Sequence, residues 1–178
     1  ADRRPETYGI MALPYRKTPV YGIADKPLIP SQSVTKVAAI QMHVTDGCGA
    51  SDVLDMVDHT AKLGAKVLTL PEYAFCPSAI PNAAEAAALA EQTAGLLGKV
   101  SAIAAQYGCI IALPTVERAA AGLYVTTYLV GPEGKELGRY RKTHLTAEER
   151  PWAKAGSDYP VFDTQFGRIG IMSGYDAV

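Results

Sequence analysis

The chain has 178 residues, 48% of them hydrophobic and 20% charged, an ordinary globular balance with enough apolar material for one buried core. A formal net charge of -1 gives no general attraction to nucleic acid or to an acidic membrane, so a small neutral or weakly charged molecule is the expected partner. No apolar run approaches the roughly 18 to 20 residues that a membrane span needs, and three scattered cysteines, Cys48, Cys76 and Cys109, suit neither a disulfide framework nor zinc; a reducing cytoplasm, with no metal or cofactor, is expected.

Residues 1–34 carry Pro5, Pro14, Pro19, Pro27 and Pro30 among Tyr8, Tyr15 and Tyr21, and neither strand nor helix periodicity survives there. They read as an extended arm or the tail of a preceding domain, with short strands possible at residues 20–24. The opening Ala1 fits either removal of an initiator methionine or excision from a longer protein.

From Lys36 the rhythm changes to strand, helix, strand, helix. Val37, Ala38, Ala39 and Ile40 suit a buried strand, set off by Gly47 and Gly49. Ser51 is placed to cap a helix whose Val53, Leu54, Val57 and Ala61 share one face and which Gly64 ends. Residues 67–70 form the next strand, stopped by Pro71. The alanine-rich stretch 82–107 is helical, expected in two pieces because Gly95 and Gly98 weaken its middle, and Gly108 closes it. Strands follow at 109–113, 123–130 and 137–141, the last two joined by a Pro132-Glu133-Gly134 turn. After a polar interval with Pro151 and Gly156, strands at 161–163 and 169–172 flank a Gly167 turn. This alternation predicts an α/β fold with antiparallel hairpins in its later part. Val178 follows a strand pattern with no helix stop or polar tail, so the fold is expected to continue.

Glu72 directly follows one strand, Lys142 ends another, and Ser173-Gly174-Tyr175-Asp176 ends a third. Carboxyl ends of strands line the ligand crevice in α/β folds, so these groups are candidates to converge, although a carboxylate after a strand can equally be a solvated loop residue. Arg139, Arg141 and Lys142 are the one basic cluster. Tyr140 alternates with them as in a half-buried strand, which argues against a nucleic-acid surface.

Leu70-Pro71-Glu72-Tyr73-Ala74-Phe75, Tyr140-Arg141-Lys142-Thr143-His144-Leu145 and Gly167-Arg168-Ile169-Gly170 followed by Gly174-Tyr175-Asp176 stand in the order and spacing of three nitrilase-superfamily motifs, and Gln41 matches the family's opening strand. Across residues 36–178 the chain resembles the first two-thirds of a carbon-nitrogen hydrolase domain. The resemblance implies an α-β-β-α sandwich, incomplete at the C-terminus, that pairs into a homo-oligomer, and glutamate-lysine-cysteine chemistry on a small amide or nitrile. Glu72 would match the base that takes the thiol proton. Lys142 would match the ammonium that meets developing negative charge. Glu148 or Glu149 would be a second glutamate that orients water.

The family's nucleophilic cysteine position is occupied by Gly174, where no thioester can form. Its neighbour Ser173 is expected to point away, because adjacent side chains on an extended segment face opposite sides. Cys76, four residues beyond Glu72, is either within reach of the pocket or a small buried thiol. Leu123-Tyr124-Val125-Thr126 lacks an asparagine the family often has there, His144 is expected to hold the lysine loop by a hydrogen bond, and Tyr175 and Asp176 either order the backbone or touch ligand. The expected function is a nitrilase-like domain without thiol catalysis that serves as a binding, regulatory or assembly module. The alternatives are an active amidase-type hydrolase whose Gly174 is an engineered or variant substitution, and a hydrolase using Ser173 or Cys76.

Overall fold

The computed structural model describes residues 35–41, 49–75 and 80–177. The expectations placed on residues 1–34, Gly47, Cys48 and Cys76 lie outside them. Five strands, β1 (Val37–Ala39), β2 (Val67–Thr69), β3 (Ile110–Ala119), β4 (Gly122–Val130) and β5 (Glu136–Arg141), form one sheet in chain order. The pairs β1·β2 and β2·β3 are parallel, and β3·β4 and β4·β5 antiparallel. Parallel neighbours need crossover connections, and these contain helices α1 (Ala50–Lys62) and α2 (Ala83–Tyr107). Strands β6 (Val161–Thr164) and β7 (Gly167–Gly170) make a separate antiparallel hairpin, and a 3-10 turn, Gly174–Ala177, follows.

Helix α1 buries Val53, Leu54, Val57 and Ala61, the face its sequence predicts. Its cap is Gly49 rather than Ser51, because the Asp52 carboxylate accepts from the Gly49 amide at 2.7 Å and starts the helix earlier. Helix α2 is capped by Asn82, whose side-chain oxygen accepts from the Ala84 and Glu85 amides at 3.0 Å each. Its 25 residues run without the predicted break. Gly95 and Gly98 cost about 1 kcal/mol each relative to alanine, and burial of Thr93, Leu96, Val100 and Ala104 along the sheet outweighs that. Gly108 ends the helix at φ +60°, a left-handed conformation suited to glycine.

Strand β3 runs six residues further than the sequence suggests, through Pro114. It pairs with β2 only as far as Ala112, so beyond that point β4 is its one strand neighbour among the described residues and a proline is tolerated. Leu68, Ile111, Leu113, Tyr128 and Val130 face the helices and pack with Val53, Val57, Leu96 and Val100. Alternate residues face the other way: Thr69, Ala112, Thr127 and Leu129 look across a cavity of about 320 Å³ to Ile169 and Ile171. The Phe162 ring lies on Gly138, where a Cβ would overlap it. Residues 35–177 thus form a mixed α/β fold with helices on one face of the five-stranded sheet and the two-stranded β6–β7 hairpin on the other. Among the described residues no helix is long and apolar enough to cross a membrane.

Candidate active site

Three strand ends bring the site together. Glu72 follows β2 through Leu70 and Pro71, Lys142 directly follows β5, and Gly174 opens the turn after β7. The Lys142 side chain is fully buried, with its ammonium 3.0 Å from Glu72 Oε1 and 2.7 Å from Glu149 Oε1. Glu149 also accepts from the Thr146 amide at 2.7 Å and from the Tyr73 hydroxyl. Tyr73 holds this place with a left-handed backbone, φ +61°. Glu148 is exposed, so of the two neighbouring carboxylates only Glu149 joins the cluster.

Gly174 has φ +48°, and a Cβ built there would lie 3.2 Å from Lys142 Nζ, 3.1 Å from Glu72 Cδ and overlap Glu72 Oε2. A side chain at position 174 would therefore enter the space between the carboxylate and the ammonium. Ser173 corrects the expectation that it points away: its hydroxyl is buried and donates to Glu72 Oε1 at 2.7 Å. Strand alternation fails because the backbone leaves β7 and turns at Gly174 instead of staying extended.

The charges are held in place by their partners. Burial disfavours the Lys142 ammonium, but Glu149 and Glu72 outweigh it and raise its pKa above the ordinary lysine value. Burial likewise works against the Glu149 carboxylate, and hydrogen bonds from Lys142, Tyr73 and the Thr146 amide hold its pKa below the usual glutamate range. Two carboxylates and one ammonium leave a cluster that can accept a proton and stabilise negative charge within one hydrogen-bonded unit. Among the described residues no group of three or more His, Cys, Asp or Glu side chains is placed to hold a metal ion.

Around this cluster, His144 behaves as its position suggests. Its amide and ring both meet Asp176, at 2.8 and 3.1 Å, which fastens the loop after Lys142. Val125 stands in an apolar cluster with Val116, Leu145 and Trp152, and its carbonyl accepts from the Lys142 amide at 2.9 Å. The basic cluster is split by strand alternation. Arg139 and Arg141 lie on the opposite sheet face from Lys142, where Glu117 accepts from both at 2.7 to 2.8 Å and the guanidinium groups cover Tyr128 and Tyr124. Sequence alone assigns no role to Glu117 or to Tyr73. For Glu117 the signal was a carboxylate at an inward strand position near two arginines; for Tyr73 there was none.

The carbon-nitrogen hydrolase family model matches residues 36–177. The chain belongs to that family. The deaminated glutathione amidase of Synechocystis is 30% identical over 135 residues, 68% of this chain and 50% of that protein. A Helicobacter pylori carbon-nitrogen hydrolase superposes with a TM-score of 0.69 at 18% identity, over 80% of this chain and 52% of that one. An amidase from Nesterenkonia gives 0.66 at 23% identity, over 79% and 56%. At such identities the two structures share the fold alone. The chain spans about half the length of the Synechocystis protein and of these two structures. Among the described residues of this carbon-nitrogen hydrolase chain, Glu72 and Lys142 meet at the Cβ position of Gly174.

Proposed function

We propose that residues 35–178 are the first part of an amidase-type carbon-nitrogen hydrolase domain in which Glu72, Lys142 and Glu149 are the charged machinery and Gly174 occupies the nucleophile position. The domain then lacks thiol catalysis and acts as a binding or assembly module for a small amide or nitrile. One observation carries this reading: the Cβ position of residue 174 falls between Glu72 and Lys142, where a nucleophile would have its base on one side and its electrostatic partner on the other.

With a thiol at that place the chemistry balances. Glu72 takes the thiol proton, sulfur bonds to the amide carbon, and the carbonyl oxygen gains negative charge that Lys142 meets. The carbon-nitrogen bond then breaks, ammonia leaving with the proton from Glu72, and a water directed by Glu149 releases the acid from sulfur. Glycine offers no atom for the carbon-sulfur bond. Glu72 is engaged by Ser173 and Lys142.

The test is ammonia release from short primary amides and nitriles by the natural full-length protein, unaltered and as G174C. Release only by G174C, removed again by E72Q, supports the reading. Release by the unaltered protein contradicts it. The Ser173 hydroxyl, 2.7 Å from Glu72, favours a second reading in which Ser173 is the nucleophile; in that case S173A abolishes release by the unaltered protein. Pairing into a homo-oligomer belongs to the same proposal, supported by Val37, Val161 and Met172, which are more than half exposed. Sedimentation of a monomer would contradict it.

A further inference from the structure

We infer that Asp176 is a positioning residue: its carboxylate ties the 173–177 turn to the lysine strand and loop, and so fixes where position 174 stands relative to Lys142 and Glu72. The bonds run to both sides. Asp176 Oδ2 accepts from the Ser173 amide at 3.0 Å, within the turn, and from the Tyr140 hydroxyl at 2.6 Å, two residues before Lys142. Oδ1 accepts from the Thr143 hydroxyl at 3.0 Å and the His144 amide at 2.8 Å, directly after Lys142, and meets the His144 ring at 3.1 Å. Among the described residues the only other side-chain hydrogen bond from this turn is Ser173 to Glu72.

The side chain is buried, 3% exposed, although Gly174, Tyr175 and Ala177 around it are exposed. Four donors that cannot all reverse their roles converge on two oxygens, which suits a carboxylate and not an amide, since an asparagine would turn N–H groups toward two of them. Burial works to raise the Asp176 pKa, yet the hydrogen bonds from Tyr140, His144, Ser173 and Thr143 bring it to about 2, so the acceptor keeps its charge at neutral pH.

The inference rests on position 174 being the nucleophile position, and its test separates the two ideas. First, hydrogen exchange at the Ser173 and His144 amides is followed by NMR in the natural protein and in D176N. Both amides are expected to exchange at least tenfold faster in D176N while Ile111 is unchanged; unchanged Ser173 and His144 would overturn the clamp. Second, alkylation of the thiol introduced by G174C is followed against pH, by peptide mass spectrometry so that Cys48, Cys76 and Cys109 are read separately. Removing a negative charge would by itself lower the midpoint of that profile. Releasing the turn from Lys142 raises it. G174C/D176N is expected to raise the midpoint by about one unit, roughly tenfold less thiolate at neutral pH, and a flat or lowered midpoint would overturn the positioning role. G174C/Y140F, which removes one donor and keeps the carboxylate, is expected to shift it less in the same direction, and carries the test should D176N fail to fold. A G174C profile indifferent to E72Q and K142M would instead sink the nucleophile-position reading, with the exchange experiment still reporting on the clamp.

Discussion

Lys142 and Glu149, both in the segment that joins β5 to β6, form an ion pair at 2.7 Å with side chains 0% and 5% exposed. A buried ammonium is tolerable only while its carboxylates remain, and the reverse holds for them. Lys142→Met is therefore expected to cost roughly 3 to 5 kcal/mol, because it leaves Glu149 buried without its counter-charge. Urea denaturation of the natural protein and the variant measures this. A cost below about 1 kcal/mol would mean that water reaches the cluster.

The same cluster separates two adjacent glutamates. Glu149→Gln removes a buried partner of Lys142, Tyr73 and Thr146, whereas Glu148→Gln changes an exposed side chain. The first is expected to lower stability by roughly 1 to 3 kcal/mol, and the second by less than about 0.5 kcal/mol. Equal effects on the denaturation midpoint would contradict the assignment.

Which of these two carboxylates meets Lys142 was not readable in the sequence. Both stand at acceptable spacing from Lys142, and only the turn that aims the Thr146 amide at Glu149 decides between them. That Glu72, Lys142 and Gly174 come together was legible, because each follows a strand whose apolar pattern is plain. Ser173 was misjudged for a local reason: alternation holds along a strand and ends where Gly174 turns to φ +48°. The continuity of α2 was hidden because two glycine penalties of about 1 kcal/mol are small beside the burial of its sheet-facing side. In the fold, the α1 face and the order of the strands were legible and the strand bounds were not: β3 outlasts its apolar run by pairing with β4 as far as Ala119, and β7 begins at Gly167, where a turn is predicted.

Gly174→Ala tests the geometry of the turn without any chemistry. The left-handed φ and the overlap with Glu72 Oε2 both oppose a side chain, and a loss of about 1 to 3 kcal/mol is expected. Part of that loss is steric and should vanish when the same change is made in Glu72→Ala. A double-mutant cycle that shows no coupling would place the two residues further apart than the structure does.

Acid should destabilise the domain in part through Glu117 and Asp176. Burial opposes ionisation of both, but hydrogen bonds hold Glu117 at about 2, against 4.5 ordinarily, and Asp176 at about 2, against 3.8. Groups depressed on folding add stability above their unfolded pKa and lose it as pH falls through the folded one, so the loss runs from about pH 4.5 down to about 2. Each contributes roughly 2 to 4 kcal/mol at neutral pH, Glu117 the more. Glu117→Gln and Asp176→Asn should each flatten the dependence of the urea midpoint on pH in that window, and an unchanged slope would contradict the pKa assignment.

The central claim is that a hydrolase site is complete around position 174 except for its nucleophile. Ammonia release from short primary amides by the natural full-length protein and by G174C tests it most directly. The expected results are no release from the unaltered protein, release by G174C, and its loss in G174C/E72Q. Release by the unaltered protein, or a folded G174C that releases none from any amide or nitrile, would contradict it.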